Sequence, residues 1–130
     1  MLLVSTKLGV SLIEGIGLFA VEPITAGTVI WRLHPIIDLR LTDEQLATLA
    51  PPCREQAQKY SYREKHSGLY VLCGDDARFF NHSDNPNCLD IYNGHDEDLT
   101  VAVRDIKADE ELTCDYAMFD LDLVEGNYHI

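Results

Sequence analysis

Two polar stretches and one glycine pair hold the residues of this chain whose types and spacing suit chemistry. The first stretch, Arg78-Phe79-Phe80-Asn81-His82-Ser83-Asp84-Asn85-Pro86-Asn87, sets two aromatics against a dense polar run that ends in a proline turn. Phenylalanines favour burial, and buried amide, imidazole and hydroxyl groups must find partners, so Asn81 and His82 suit either a turn network or a polar ligand. Asn, Asp, Pro and Ser are also ordinary turn residues, and alone the stretch reads as a turn. The second stretch, Glu110-Glu111-Leu112-Thr113-Cys114-Asp115-Tyr116, reads as a strand whose end presents an acid and a phenol. In isolation Tyr116 reads as a packed aromatic whose hydroxyl is paired. Gly15-Ile16-Gly17 precedes a strand rather than a helix, so a dinucleotide fingerprint fails on context. It fits a turn with positive φ, or a backbone kept bare for a ligand.

The elements that must carry these residues are short. Val, Ile, Leu, Phe and Trp concentrate at 2–6, 18–21 and 28–33, separated by Gly and Pro, which predicts strands there. Ile24-Thr25-Ala26-Gly27 between the last two predicts a tight reversal, and Ile106-Lys107-Ala108-Asp109-Glu110 has a similar pattern. Leu99, Val101 and Val103 alternate with Thr100, Ala102 and Arg104, which marks a half-buried strand. Thr42 and Gln45 form a capping box for a helix with Leu46, Leu49 and Ala50 on one face, which Pro51-Pro52 should stop. A second short helix fits within 53–66, where Tyr60 and Tyr62 fit either core or cleft, core being the simpler reading. Leu69 to Cys73 and Cys88 to Tyr92 read as strands, the latter followed by an Asn93-Gly94 turn. No strand–helix alternation runs through the chain, which excludes a doubly wound nucleotide fold.

The 130 residues suit one domain, expected over 1–130. With 10 Lys plus Arg against 22 Asp plus Glu, the net charge of −12 argues against direct nucleic-acid binding and favours a cationic partner. Cys53, Cys73, Cys88 and Cys114 show no C-x-x-C pairing and read as reduced structural thiols. The first residues lack a signal-peptide pattern and no apolar run of about 20 residues offers a membrane span, so a cytoplasmic location is expected.

In chain order, G-I-G-L-F-A, R-F-F-N-H-S-D-N-P-N and E-E-L-T-C-D-Y resemble the SET domain family of protein lysine methyltransferases over about residues 10–116. The resemblance implies a mainly β fold, the SET-type β-clip of small sheets with one or two short helices, in which the Asn81-His82 and Asp115-Tyr116 segments cross in a pseudoknot. Residues 38–67 would be a variable insert and 117–130 a short tail. It implies S-adenosyl-L-methionine as cofactor, with Gly15, Ile16 and Gly17 beside its methionine part. Asn81 and His82 would hold its amino acid and adenine ends, with Arg78 and Phe79 close by. Tyr116 would be the catalytic residue where methyl donor and acceptor meet. The expected reaction is in-line transfer to a deprotonated lysine amine of a protein or peptide; a catalytically weak SET-fold binding module is the alternative.

The chain departs from the family in two places. Many members carry a zinc-binding cysteine where this chain has Asp84, with more in the tail; 117–130 has none, so no metal is expected. Phe119, Tyr128 or a homodimer partner would then close the lysine channel. Trp31-Arg32-Leu33-His34-Pro35 stands where members often show an aromatic-x-Gly turn.

Overall fold

Glycines and prolines cut this chain into segments too short for long regular elements, and small sheets result. The computed structural model describes residues 1–92 and 98–116. In chain order the elements are β1 (Thr6–Val10), β2 (Ile16–Ala20), β3 (Val29–Arg32), β4 (Leu39–Leu41), α1 (Asp43–Ala47) and α2 (Pro51–Tyr60). After these come β5 (Ser61–Arg63), β6 (Tyr70–Leu72), a 3-10 turn (Asp76–Phe79), β7 (Asn81–His82), β8 (Cys88–Tyr92), β9 (Asp98–Ala102) and β10 (Thr113–Cys114). β1 and β2 form an antiparallel hairpin, β3-β9-β8 and β4-β6-β5 form antiparallel three-stranded sheets, and β7 pairs with β10 in parallel. This is the expected β-rich architecture. The Asn93-Gly94 turn and the tail with Phe119 and Tyr128 lie outside the described residues.

Several local expectations hold and others shift. Thr42 caps α1 through the full capping box, and Leu46 is its buried residue. α1 ends earlier than expected, at Ala47 with Thr48 as its C-cap, so Leu49 and Ala50 lie outside it. Pro51 and Pro52 instead open α2, because the first helical positions need no backbone N–H. The first strand lies at Thr6–Val10 rather than 2–6: Leu2 makes only an isolated bridge to Trp31, and its N–H donates to Asp75 at 2.8 Å. The hairpin that replaces it leaves Leu8 and Val10 exposed, so no burial pattern marked it. β9 alternates as expected with the opposite phase. Thr100 and Ala102 are its buried residues, whereas Leu99 and Val101 are half-buried and Val103 is exposed. β9 is the middle strand of its sheet, and its small residues are the ones packed inward.

The two similar turns pair with each other. Ile24 and Ile106 exchange backbone hydrogen bonds of 2.8 Å in both directions. The contacts repeat about this pair. The Gly27 N–H donates to the Ala102 carbonyl and the Asp109 N–H to that of Ala20, while the N–H groups of Ala20 and Ala102 donate to Glu110 and Thr28. Gly27 and Asp109 occupy equivalent places, both with positive φ. Ile24 and Ile106 thereby enter the main core with Leu18, Ala20, Ile30, Cys88, Ala102 and Leu112, and Phe79 and Phe80 pack against it. β2 and β3 do not pair with one another, so the turn between them is not a hairpin.

Asn87 fastens this core to β10. It is 2% exposed, and its Nδ2 donates to the Glu111 carbonyl at 2.7 Å and to the Glu110 carboxylate at 3.2 Å. Its Oδ1 accepts the Thr113 N–H at 2.9 Å. Asn87→Ala strands the buried Thr113 N–H and the half-buried Glu111 carbonyl, each costing roughly 1–3 kcal/mol. Urea denaturation is expected to show a loss of about 3 kcal/mol; a loss below about 1 kcal/mol would contradict this role.

Candidate active site

The glycine segment and the Asn81 segment meet through one carboxylate. Glu111 accepts from the Ser11 hydroxyl at 2.8 Å and from Asn81 Nδ2 at 2.9 Å. The same Nδ2 reaches the carbonyls of Glu14 and Ile16 at 3.2 and 3.3 Å. Gly17 permits this approach, because a Cβ there would lie 2.5 Å from Glu111 Oε2. Gly15 takes φ +48°, a region that favours glycine. Gly15, Ile16, Gly17 and Asn81 are thus one cluster, and Ser11 and Glu111 are the members that the sequence reading missed.

The second cluster is built on the β7–β10 pair. Ser83 N–H donates to the Cys114 carbonyl at 3.0 Å, extending the parallel pairing of Asn81 with Thr113 and His82 with Cys114. The Tyr116 N–H donates to His82 Nδ1 at 3.1 Å. His82 Nε2 therefore carries the ring proton and donates to the Asp84 carboxylate at 2.9 Å. The His82 ring thus positions the Tyr116 backbone, while its contact with Asp84 lies at the fully exposed surface. The Tyr116 hydroxyl donates to the Phe80 carbonyl at 2.5 Å.

A cleft of about 640 Å³, counting the space open to solvent, lies beside Tyr116. Its aromatic walls are Trp31, Tyr60, Tyr62, Phe80 and Tyr116, and Arg78 also lines it. Trp31 turns inward at a bulge in β3, where the register shift lets the adjacent Ile30 and Trp31 both be buried. Arg78 donates to the Cys73 carbonyl at 2.9 Å and lies 5.6 Å from the Tyr60 ring centre, with Phe79 edge-on to the same ring at 5.8 Å. Of the residues expected at the cofactor, Arg78 and Tyr116 line this cleft; Gly15, Ile16, Gly17, Phe79, Asn81 and His82 are not among its walls. Tyr60 and Tyr62, for which the sequence allowed core or cleft, are walls of the cleft, and Tyr62 also packs against the buried cluster of Trp31, Cys73 and Ala77. A tyrosine beside a cavity and one in a core carry the same sequence signal.

Three polar atoms on the cleft residues, Trp31 Nε1, Ser61 Oγ and Asp90 Oδ2, are buried with no hydrogen-bond partner among the described residues. Native proteins satisfy most such atoms, so these three suit ordered water or a polar ligand. Burial pushes the Asp90 carboxyl from 3.8 up to about 6, against the hydrogen bond from Thr100.

The residues 15–117 match the family model of the SET domain. The chain belongs to the SET domain family. This SET domain is 31% identical over 127 residues to the Drosophila melanogaster histone-lysine N-methyltransferase trr, covering 86% of this chain and 5% of that protein. Among solved structures, it resembles a chain of a humanized mutant of Chaetomium thermophilum Polycomb Repressive Complex 2 bound to an inhibitor, with a TM-score of 0.64, 26% identity, and coverage of 89% of this chain and 15% of that one. A Plasmodium falciparum chain described as a candidate histone methyltransferase shares the fold, with a TM-score of 0.62, 21% identity, and coverage of 87% and 93%.

The charge state of Asp90 has a measurable consequence for the SET domain. Its folded pKa stands above the ordinary value, so the folded state binds the proton more tightly. The contribution to stability is full below pH 4, falls between about 4 and 6, and leaves a cost of about 3 kcal/mol at higher pH. Asp90→Asn keeps an oxygen for the Thr100 hydroxyl and removes the charge. It is expected to raise the unfolding free energy at pH 8 by up to that amount and to change it little at pH 4. An equal effect at both pH values in chemical denaturation would rule out a buried charge.

Proposed function

We propose that this SET domain is an S-adenosylmethionine-dependent protein lysine N-methyltransferase. The observation that carries the proposal is the aromatic cleft with three unpartnered polar groups beside Tyr116. Family membership and the similarity to a histone-lysine N-methyltransferase support it.

The residues present fit a cationic cofactor and a cationic substrate. Aromatic faces attract sulfonium and ammonium groups more strongly than they attract neutral ones, by about 0.5–2 kcal/mol per good contact. The buried Trp31 N–H, the Ser61 hydroxyl and the Asp90 carboxylate offer donors and an acceptor in the same space. S-adenosylmethionine, when bound, would supply a methyl group activated by a sulfonium charge. The chain's own tasks are to align an amine, exclude water and keep the amine neutral. Alignment alone can supply several kcal/mol. Lysine has an ordinary pKa of ~10.4, so reaching neutrality near pH 7.4 costs about 4 kcal/mol, and a desolvated aromatic cleft lowers that cost.

Tyr116 orients rather than abstracts. Its hydroxyl is aimed by the Phe80 carbonyl and its backbone by His82, so two contacts fix where it stands. Gly15 to Gly17 and Asn81 form a backbone-lined platform that suits the polar amino acid end of the cofactor, with Glu111 holding its shape. The net charge of −12 favours a lysine-rich, basic substrate over an acidic one.

Two variants separate binding from transfer. Tyr116→Phe is expected to fold and to bind S-adenosylhomocysteine within about threefold of the parent, while methyl transfer falls by roughly 100-fold, the scale of a lost positioning contact. Unchanged turnover would remove Tyr116 from the mechanism. Asn81→Ala should weaken S-adenosylhomocysteine binding by about tenfold in calorimetric titration, and an unaltered affinity would sink the cofactor assignment.

A further inference from the structure

Among the described residues, Asp90 is the acidic wall residue of the cleft. It stands on β8 opposite Thr100 on β9, and the Thr100 hydroxyl donates to its Oδ1 at 2.5 Å. That contact uses one oxygen. The other, Oδ2, is buried and unpartnered. A purely structural strut to Thr100 needs no charge, and an asparagine or a threonine would serve as well. Leaving a carboxylate oxygen shut from water with nothing to bind is costly, and the cost is justified where a cation arrives.

The cations near the cleft do not meet that need. Arg78 and Lys59 both lie over the Tyr60 ring, at 5.6 and 5.2 Å from its centre, and Arg78 also donates to the Cys73 carbonyl. The neighbouring titratable walls are poor proton acceptors. Burial pushes the Tyr62 hydroxyl and the Cys114 thiol well above their ordinary values, so both stay protonated. Asp90 also borders a second pocket of about 550 Å³, counting the space open to solvent, shared with Glu64, His66 and Asp98. Glu64 is paired with Arg40 at 2.9 Å, and His66 Nε2 lies 3.2 Å from Glu64 and 3.3 Å from Asp98. Burial and then the adjacent Glu64 raise the Asp98 carboxyl, so that acidic group competes little for an incoming cation.

We propose that Asp90 receives the ammonium of the substrate side chain in the cleft and takes one proton from it. One N–H bond breaks and one O–H bond forms, leaving a neutral amine against a neutral carboxylic acid. No net charge is lost, and the pair replaces two charges that the desolvated cleft disfavours. The proton later leaves through the second cavity, which Asp90 also lines. This role rests on the lysine methyltransferase reading for its substrate, and it adds a catalytic residue that the sequence reading did not single out.

The test uses the full chain with n-butylamine hydrochloride as a lysine side-chain probe, followed by NMR titration, and separately the rate of labelled methyl transfer into bulk lysate protein between pH 6 and 10. For the wild type, butylammonium binding should strengthen about tenfold as pH rises from 5 to 7, with Asp90 ionising in that window. Asp90→Asn should lose that pH dependence. Its transfer rate should drop about 100-fold near pH 7, the scale of a lost general base. The variant's rate should also climb about tenfold per pH unit towards pH 10, because the amine must then arrive already neutral. Wild-type binding that does not change with pH would overturn the proposal, and that result needs no variant. A variant with the wild-type pH–rate profile would overturn it too. Absence of transfer in the wild type alongside Asp90-dependent butylammonium binding would strike the methyltransferase reading and leave the amine site standing.

Discussion

The site depends on a parallel pairing only two residues long. β7 and β10 are separated by some 30 residues of chain, and nothing local draws them together. Their contact is held from outside by buried and part-buried hydrogen bonds: Asn87 on one flank ties to Thr113 and Glu111, and Glu111 on the other ties to Asn81 and Ser11. Once β10 lies beside β7, Tyr116 has little freedom. Its N–H meets the His82 ring and its hydroxyl meets the Phe80 carbonyl. The two polar stretches of the sequence are thus one structural unit, which explains why so many amides and carboxylates sit where apolar packing alone would be cheaper.

Around this unit the fold spends its irregularities on the cleft. The bulge in β3 turns Trp31 inward, and the passage from α2 into β5 sets Tyr60, Ser61 and Tyr62 on the same space. Phe80 packs against both hydrophobic clusters and also walls the cleft, so the core and the site share a surface. Aromatic walls with a few unpartnered polar atoms make a place that attracts a positive charge. That combination suits transfer between a sulfonium and an amine.

Much of this was legible in the sequence, for identifiable reasons. The ordered motifs revealed the family because each pairs special backbone needs with polar side chains at a fixed order. The Thr42 capping box, the strand at 88–92 and the alternation over 99–104 followed from local chemistry, although the face that this alternation buries did not. What the sequence hid was chosen by tertiary contact. β1 is exposed, so no burial rhythm betrayed it. Glu111 looked like one of two interchangeable acids until the missing Cβ of Gly17 made room for its carboxylate. Tyr60, Tyr62 and Trp31 have the apolar bulk of core residues, and only the cavity beside them changes their meaning. Asp90 sits within a strand pattern where an acid suggests a solvent face, whereas its Oδ2 is buried.

The central claim is that this SET domain moves a methyl group onto lysine, and the most direct measurement follows the methyl group itself. The purified chain is incubated with methyl-labelled S-adenosylmethionine and a cell lysate, the protein is hydrolysed completely, and the labelled amino acids are separated. The account predicts label in methylated lysine. No label in protein, or label confined to other amino acids or to small molecules, would contradict it.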